Sequence, residues 1–410
     1  MTEVEVEVEP GEVGFDGARL DRLGHHLDQY VDSGCLPGVN LLVSRAGKVV
    51  YRHMYGQRDM ERSLQVESDT IYRFYSMTKP ITSVAVMQLY EQGMFQLKDP
   101  ISNWIPSFAG SQVFVGGDAE NPKVRDASRD ISFHDLLTHT SGLTYHFHMA
   151  HAVDEMYRRS GFDWTSSPGD LETQCDVLAS LPLLFDPGTE WNYSYSTDVL
   201  GRLIEVISGL SLDVYLQRNI FEPLGMVDTG FSVPHGEKER FASCYYPNGE
   251  AKQAVLLDDA QRSLYLREPE ALSGGGGLVS TLADYHRFTQ ALRNGGLLNG
   301  KRIVGRRTLE FMTRNHLPGG VDLTEYGRPL FSETAYDGVG FGLGFSVVVD
   351  PAKAKVLCQE GEYAWGGAAS TAFWVDPVED LTVIFLTQLL PSSTHPIRAE
   401  MKTLVYQALE

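Results

Sequence analysis

Strand-like apolar runs stand at the two ends of this 410-residue chain, and a long helical and loop-rich stretch separates them. Near the start, Val39 to Val43 and Val49 to Tyr55 flank Arg45-Ala46-Gly47-Lys48, the pattern of a hairpin closed by a glycine turn. Near the end, strand signals return at Leu343 to Val349, Lys355 to Gln359, Thr371 to Val375 and Leu381 to Thr387. Helical spacing runs through Phe15, Leu20, Leu23, Leu27, Tyr30 and Val31. It recurs over Ile81 to Glu91, with Ile81, Val84, Met87 and Leu89 near one face and Gly93 as the stop, and over Ile397 to Leu409. From about 95 to 275, helical segments such as Phe133 to Leu137 and Val199 to Ile207 alternate with Pro/Gly/Ser/Asn loops, and few strand alternations are visible. This pattern predicts an α/β fold: an antiparallel sheet formed from both chain ends and flanked by the terminal helices, with a mostly helical insertion. We expect residues 1–90 and 275–410 to form the α/β domain, 91–274 the helical domain, and the active site to lie at their interface.

Composition narrows the function. Hydrophobic residues at 42% supply a sizeable core, and 34 Lys and Arg against 54 Asp and Glu leave a net charge of −20. That sign argues against nucleic-acid binding, which draws on phosphate neutralisation. Cys35, Cys175, Cys244 and Cys358 are scattered, with no zinc or disulfide spacing. The N-terminus lacks the positive and apolar regions of a secretory signal, and no apolar run is long enough to span a bilayer. A cytoplasmic protein is expected.

The common catalytic signatures GxSxG, HExxH, Walker A and GxGxxG are missing. Gly274 to Gly277 lacks the residues of a phosphate loop and reads as a tight loop or a close backbone approach. Ser76-Met77-Thr78-Lys79 is the one Ser-x-x-Lys in the chain, at the start of the helix over Ile81 to Glu91. Residues i and i+3 share a helix face, so a neutral Lys79 amine could take the Ser76 hydroxyl proton. The motif arises by chance about once or twice in a chain of this length. A surface lysine and an N-cap serine fit it as well. The second segment, Asp186-Pro187-Gly188-Thr189-Glu190-Trp191-Asn192-Tyr193-Ser194-Tyr195, carries a phenol that a nearby ammonium would help ionise. The same aromatics also fit a purely anchoring role. The third, Glu362-Tyr363-Ala364-Trp365-Gly366-Gly367-Ala368, places two glycines at the head of an expected edge strand, where backbone N–H groups could face a ligand. A bulge or turn fits it too.

These three segments in this order resemble the serine β-lactamase and penicillin-recognising superfamily, and most closely its class C-like branch with the family VIII carboxylesterases and related acyltransferases. Leu136-Leu137-Thr138-His139-Thr140-Ser141-Gly142-Leu143, Pro223-Leu224-Gly225-Met226 and Gly276-Gly277-Leu278-Val279-Ser280-Thr281 fit the same branch, so the resemblance runs from about residue 15 to 409. It implies Ser76 as nucleophile, Lys79 as its activator and Tyr193 as proton relay. It also implies Trp365-Gly366-Gly367 as the third motif, with Ala368 giving an oxyanion N–H beside that of Ser76. Penicillin-recognising members usually open the third motif with Lys or His, and carry Asn two residues after the tyrosine. Here Trp365 and Tyr195 stand there, as Trp-Gly-Gly does in the esterase branch. Both exchanges favour an uncharged substrate group.

The expectation is therefore a serine carboxylesterase for short or medium acyl esters, needing no metal or cofactor. Tyr75, Tyr145 and Tyr195 are candidates for the pocket wall. Acyl transfer to an alcohol or amine, D-peptidase or amidase action, and weak β-lactam hydrolysis would use the same site. Two rivals come from other classes: a metal site among His134, His139, His146, His148 and His151, and a binding protein on a degenerate enzyme fold. Loops at about 110–130, 144–170 and 235–272 are expected to shape the pocket. The oligomeric state is not legible in the sequence.

Overall fold

The computed structural model describes residues 4–164 and 167–410; positions 165 and 166 of the expected pocket loop lie outside the described residues. The elements that matter for the site are β1 (Gly38–Arg45), β2 (Lys48–Asp59), β3 (Leu64–Gln65), β4 (Val339–Phe341), β5 (Ser346–Val348), β6 (Tyr363–Gly366), β7 (Ala372–Asp376) and β8 (Leu381–Leu386). The helices are α1 (Gly17–Asp32), α2 (Thr78–Glu91), α3 (Ser196–Ser208), α4 (Leu282–Arg293) and α5 (Ile397–Tyr406). The strands form one antiparallel sheet in the order β4-β5-β6-β7-β8-β1-β2-β3, so the last strand of the chain pairs with the first, Asn40 opposite Leu386. The β1–β2 turn puts Ala46 and Gly47 at positive φ (52° and 74°), the twist a two-residue hairpin favours.

The central strands are apolar on both faces because both are covered. In β1, Val39, Leu41 and Val43 join Val383 and Phe385 of β8 and Trp374 of β7 against Leu20, Leu23 and Leu27 of α1 and Met401 and Val405 of α5. The alternate residues Leu42, Phe373, Val375, Ile384 and Leu386 face the opposite core with Tyr285 and Phe288 of α4. Leu20, Leu23 and Leu27 are fully buried, each contributing roughly 1.5–3 kcal/mol.

Three expectations need correcting. Lys355 to Gln359 is not a strand. Pro351–Ala354 is a helical turn, Lys355 closes it in the left-handed region (φ 56°), and Leu357 is exposed, so no ladder can start before Tyr363. The middle of the chain holds two hairpins, Gln112–Gly117 with Pro122–Asp126 and Cys244–Asn248 with Gln253–Asp258. Residues 122–126 are all exposed, so that arm carries no apolar alternation to read. Finally, α2 is not one-faced: residues 78 to 87 are all buried, because α3 packs along it and its apolar residues join the core that also holds Leu42, Phe373 and Ile384 of the sheet.

Candidate active site

Ser76 lies in a single 3-10 turn, Tyr75–Met77, that leads directly into α2. Tyr75 holds φ 43°, a left-handed conformation that costs a non-glycine residue about 1–3 kcal/mol and tends to persist where function requires it. Pro80 is in the first turn of α2, where its missing N–H breaks no helical bond. One turn on, the Lys79 amine donates to the Ser76 hydroxyl at 3.3 Å and to the Gly275 carbonyl at 2.7 Å. Lys79 is 2% exposed and Ser76 9%. Burial lowers the Lys79 pKa to about 8, against the opposing pull of Asp198 and Glu333.

Gly274 to Gly277 thus proves to be a close backbone approach. A Cβ on Gly275 would stand 2.4 Å from the Asp198 carboxylate, and one on Gly274 2.7 Å from the Thr197 carbonyl. The loop is tied to α2 by Thr82 Oγ1 donating to the Gly274 carbonyl at 2.8 Å and by the Leu278 N–H donating to Thr78 Oγ1 at 3.1 Å. Asp198, in the first turn of α3, accepts from Ser273 Oγ at 2.6 Å and from the Gly275 N–H at 3.2 Å.

Tyr193 comes from the irregular segment just before α3, and its ring centroid is 4.6 Å from the Lys79 nitrogen. Tyr145 and Trp365 pack against it with ring centroids 5.1 and 5.4 Å away. Its hydroxyl is enclosed and makes no hydrogen bond of ordinary geometry among the described residues. Burial raises its pKa well above 10; Glu333 adds to this, while the nearby Ser76 and Trp365 side chains oppose it. The expected easing of phenol ionisation by Lys79 is therefore overturned. Desolvation of the phenolate dominates, and Tyr193 stays neutral at ordinary pH.

Trp365 and Gly366 lie within β6, an interior strand between β5 and β7, not at the head of an edge strand. Their role is one of approach. A Cβ on Gly367 would meet the Phe74 carbonyl at 2.3 Å, and one on Gly366 the Arg398 guanidinium at 2.3 Å. Gly367 donates to the Thr371 carbonyl at 3.0 Å, which turns the chain so that Ala368 lines the same cavity as Ser76. The backbone N–H groups of Ser76 and Ala368 donate to no other described residue.

The cavity measures about 660 Å³, and Ser76, Tyr193 and Ala368 share its wall with Tyr75, Tyr145 and Tyr195. Six of the sequence-derived candidates thus line one cleft, while Lys79 reaches it through Ser76, Trp365 packs behind Tyr193, and Gly366 and Gly367 lead into Ala368. A second cavity of about 580 Å³ adjoins it, sharing Phe147, Trp164, Phe331 and Ala368. Sequence reasoning missed Asp198 and Glu333, and it marked the Gly274 to Gly277 loop without its carbonyl contact to Lys79. The histidines serve separate ends. His146 Nδ1 meets the Tyr195 hydroxyl at 2.6 Å, His148 Nε2 the Tyr193 carbonyl at 2.8 Å, and His134 faces His316 at 3.2 Å. His151 caps the helix Ala152–Arg159. His139 is buried against Tyr193, with its pKa well below 6.5 through burial and the Lys79 charge. Among the described residues, no three His, Cys, Asp or Glu side chains come together as a metal site.

A family model described as beta-lactamase matches residues 23–407. The chain belongs to the β-lactamase family. It is 31% identical over 423 residues to Esterase EstB of Burkholderia gladioli, covering 97% of this chain and 98% of that one. It is 34% identical over 378 residues to an uncharacterized protein of Mycobacterium tuberculosis, covering 91% and 90%. Among solved structures it is similar to EstCE1, described as a hydrolase with promiscuous acyltransferase activity, with TM-score 0.78, 25% identity and coverage of 95% and 98%.

Proposed function

We propose that the chain is a serine carboxylesterase for short or medium acyl esters, working through an acyl-enzyme on Ser76. The observation that carries this reading is the buried Lys79 amine, 3.3 Å from the Ser76 hydroxyl and with a pKa of about 8. Such an amine is neutral in about one molecule in ten at pH 7, and can accept the hydroxyl proton. As the Ser76 Oγ–carbon bond forms, the carbonyl electron pair moves onto oxygen, where the free N–H groups of Ser76 and Ala368 would hold it. Collapse breaks the bond to the alcohol, which leaves with the phenol proton of Tyr193, and the Lys79 ammonium reprotonates the phenol. Water then enters and the same groups run in reverse to release the acid.

EstB, an esterase across almost the whole length, supports ester cleavage. So does Trp365, whose indole offers no cation for a β-lactam carboxylate. A second reading, acyl transfer to an alcohol, is favoured by the adjoining cavity, which gives an acceptor room beside Ala368, and by the described activity of EstCE1. We place the active site between the α/β part (1–90 and 275–410) and the helical part (91–274). We also place the protein in the cytoplasm, a reading supported by four unpaired cysteines.

The test is hydrolysis of a p-nitrophenyl ester by the wild type and by Ser76→Ala, with labelling by a fluorophosphonate. The variant should fold, lose turnover and escape labelling; retained turnover would remove Ser76 from the mechanism. Adding an alcohol and comparing ester formed with acid released decides between transfer and hydrolysis.

A further inference from the structure

One carboxylate in the cleft has no part in the chemistry above. Glu333 lines the cavity with Ser76, Tyr193 and Ala368, yet its side chain is only 1% exposed. Oε2 is occupied, accepting from Arg398 Nη2 at 2.8 Å and Ser392 Oγ at 2.9 Å. Oε1 is buried and accepts nothing from any described residue. A buried carboxylate oxygen left without a donor costs free energy unless something else supplies one.

Arg398 pairs with Glu333 through Oε2 alone and leaves Oε1 without a donor. Its guanidinium is turned onto backbone, donating also to the Glu333, Gly367 and Thr371 carbonyls at 2.9, 3.0 and 2.7 Å. The charges that act on Lys79 are those of Asp198 and Glu333. Asp163, Asp198, Glu268 and Glu270 line the same cavity, against Arg267 on its wall and Arg158 in the adjoining one. The Arg158 guanidinium is engaged by the His146 carbonyl at 2.5 Å.

We propose that Glu333 is a specificity-determining residue. Its free Oε1 takes a hydroxyl or ammonium donor on the substrate and repels a carboxylate, so the cleft admits neutral and cationic esters and rejects anionic ones. This rests on the esterase reading and adds a substrate class to it.

Three butyrate esters test it on the full-length protein: that of choline, that of its tert-butyl carbon isostere, and that of the same alcohol with one methyl replaced by carboxylate. The expected kcat/KM for the carboxylate ester is at least about tenfold below that of the neutral isostere, since like charges brought together inside an interface are strongly disfavoured. The gap should persist at about 0.5 M salt, because a buried charge is poorly screened whereas the surface field of a −20 chain is not. Glu333→Gln should narrow it about fivefold or more. Equal rates for the neutral and carboxylate esters, a gap that vanishes with salt, or an unaltered gap in a folded Glu333→Gln protein would each overturn the proposal. Should that variant not fold, the rim double variant Glu268→Gln/Glu270→Gln decides: an unchanged gap supports Glu333, and a lost gap overturns it. No hydrolysis of the neutral ester, with no labelling of Ser76, would instead refute the esterase reading itself.

Discussion

Gly367 and Phe74 approach so closely that a methyl group on the glycine would sit 2.3 Å from the phenylalanine carbonyl oxygen. That contact fixes the distance between two parts of the chain almost three hundred residues apart, the turn bearing Ser76 and the end of β6. Gly367→Ala must push β6 away from the Ser76 turn and carry the Ala368 N–H with it. We expect kcat on an ester to fall about 10²–10³-fold, the range for loss of one oxyanion donor. Near-wild-type kcat with an unchanged circular dichroism spectrum would show that the approach does not position the site.

The pH dependence follows from Lys79. Its folded pKa of about 8 lies below the usual 10.5, and the neutral form is the base. The kcat/KM for a non-ionising ester should therefore rise with pH through about 8 and level off above it. Asp198 holds that pKa up, so Asp198→Asn should shift the rising limb to lower pH. A limb that stays in place in the variant would separate Asp198 from the lysine.

How much of this was legible follows from where each signal sits. Ser76 and Lys79 were legible as a possible pair because i and i+3 meet on one helical face, and the order of the three segments set them apart from a chance motif. Tyr193 carried no local pattern; a phenol among aromatics reads as packing, and only the order of the three segments singled it out. Asp198 looked like an ordinary acidic residue in the first turn of α3, a common place for one. Glu333 lies in a loop with no periodicity, and its meeting with Arg398 depends on β7 and α5 arriving from elsewhere. The sheet was visible as apolar runs at both ends. The hairpin arm at 122–126 was not, because exposed strands bury nothing and leave no alternation.

Arg73 is a further residue the sequence did not mark, and it carries stability. Three positions before Ser76, its side chain is fully buried. It donates to Asp258 Oδ2 at 2.7 and 3.0 Å, to the Ala242 carbonyl at 2.5 Å and to Ser263 Oγ at 3.1 Å, with its guanidinium over the Phe241 ring. Asp258→Ala leaves that guanidinium without its counter-charge. Because the Asp258 side chain is 35% exposed, solvent screens part of that loss, and the cost should be about 1–2 kcal/mol, measurable as a lower urea midpoint. A midpoint unchanged from wild type would mean the backbone and hydroxyl acceptors suffice.

Tyr193 offers the sharpest separation of chemistry from packing. Its hydroxyl makes no ordinary hydrogen bond, so Tyr193→Phe removes little that holds the fold, and the melting temperature should stay near that of the wild type. Its raised pKa keeps the phenol protonated, which suits an acid that delivers a proton to a departing alkoxide. A p-nitrophenolate leaves without needing that proton, whereas an alkyl alkoxide does not. Tyr193→Phe should therefore slow alkyl ester hydrolysis by about 10²–10⁴-fold while slowing acylation by the p-nitrophenyl ester far less. Equal losses on both esters would assign the tyrosine to activating Ser76 or shaping the cavity. A phenolate absorbance band below pH 10 that is present in the wild type and lost in Tyr193→Phe would contradict the neutral phenol on which the assignment depends.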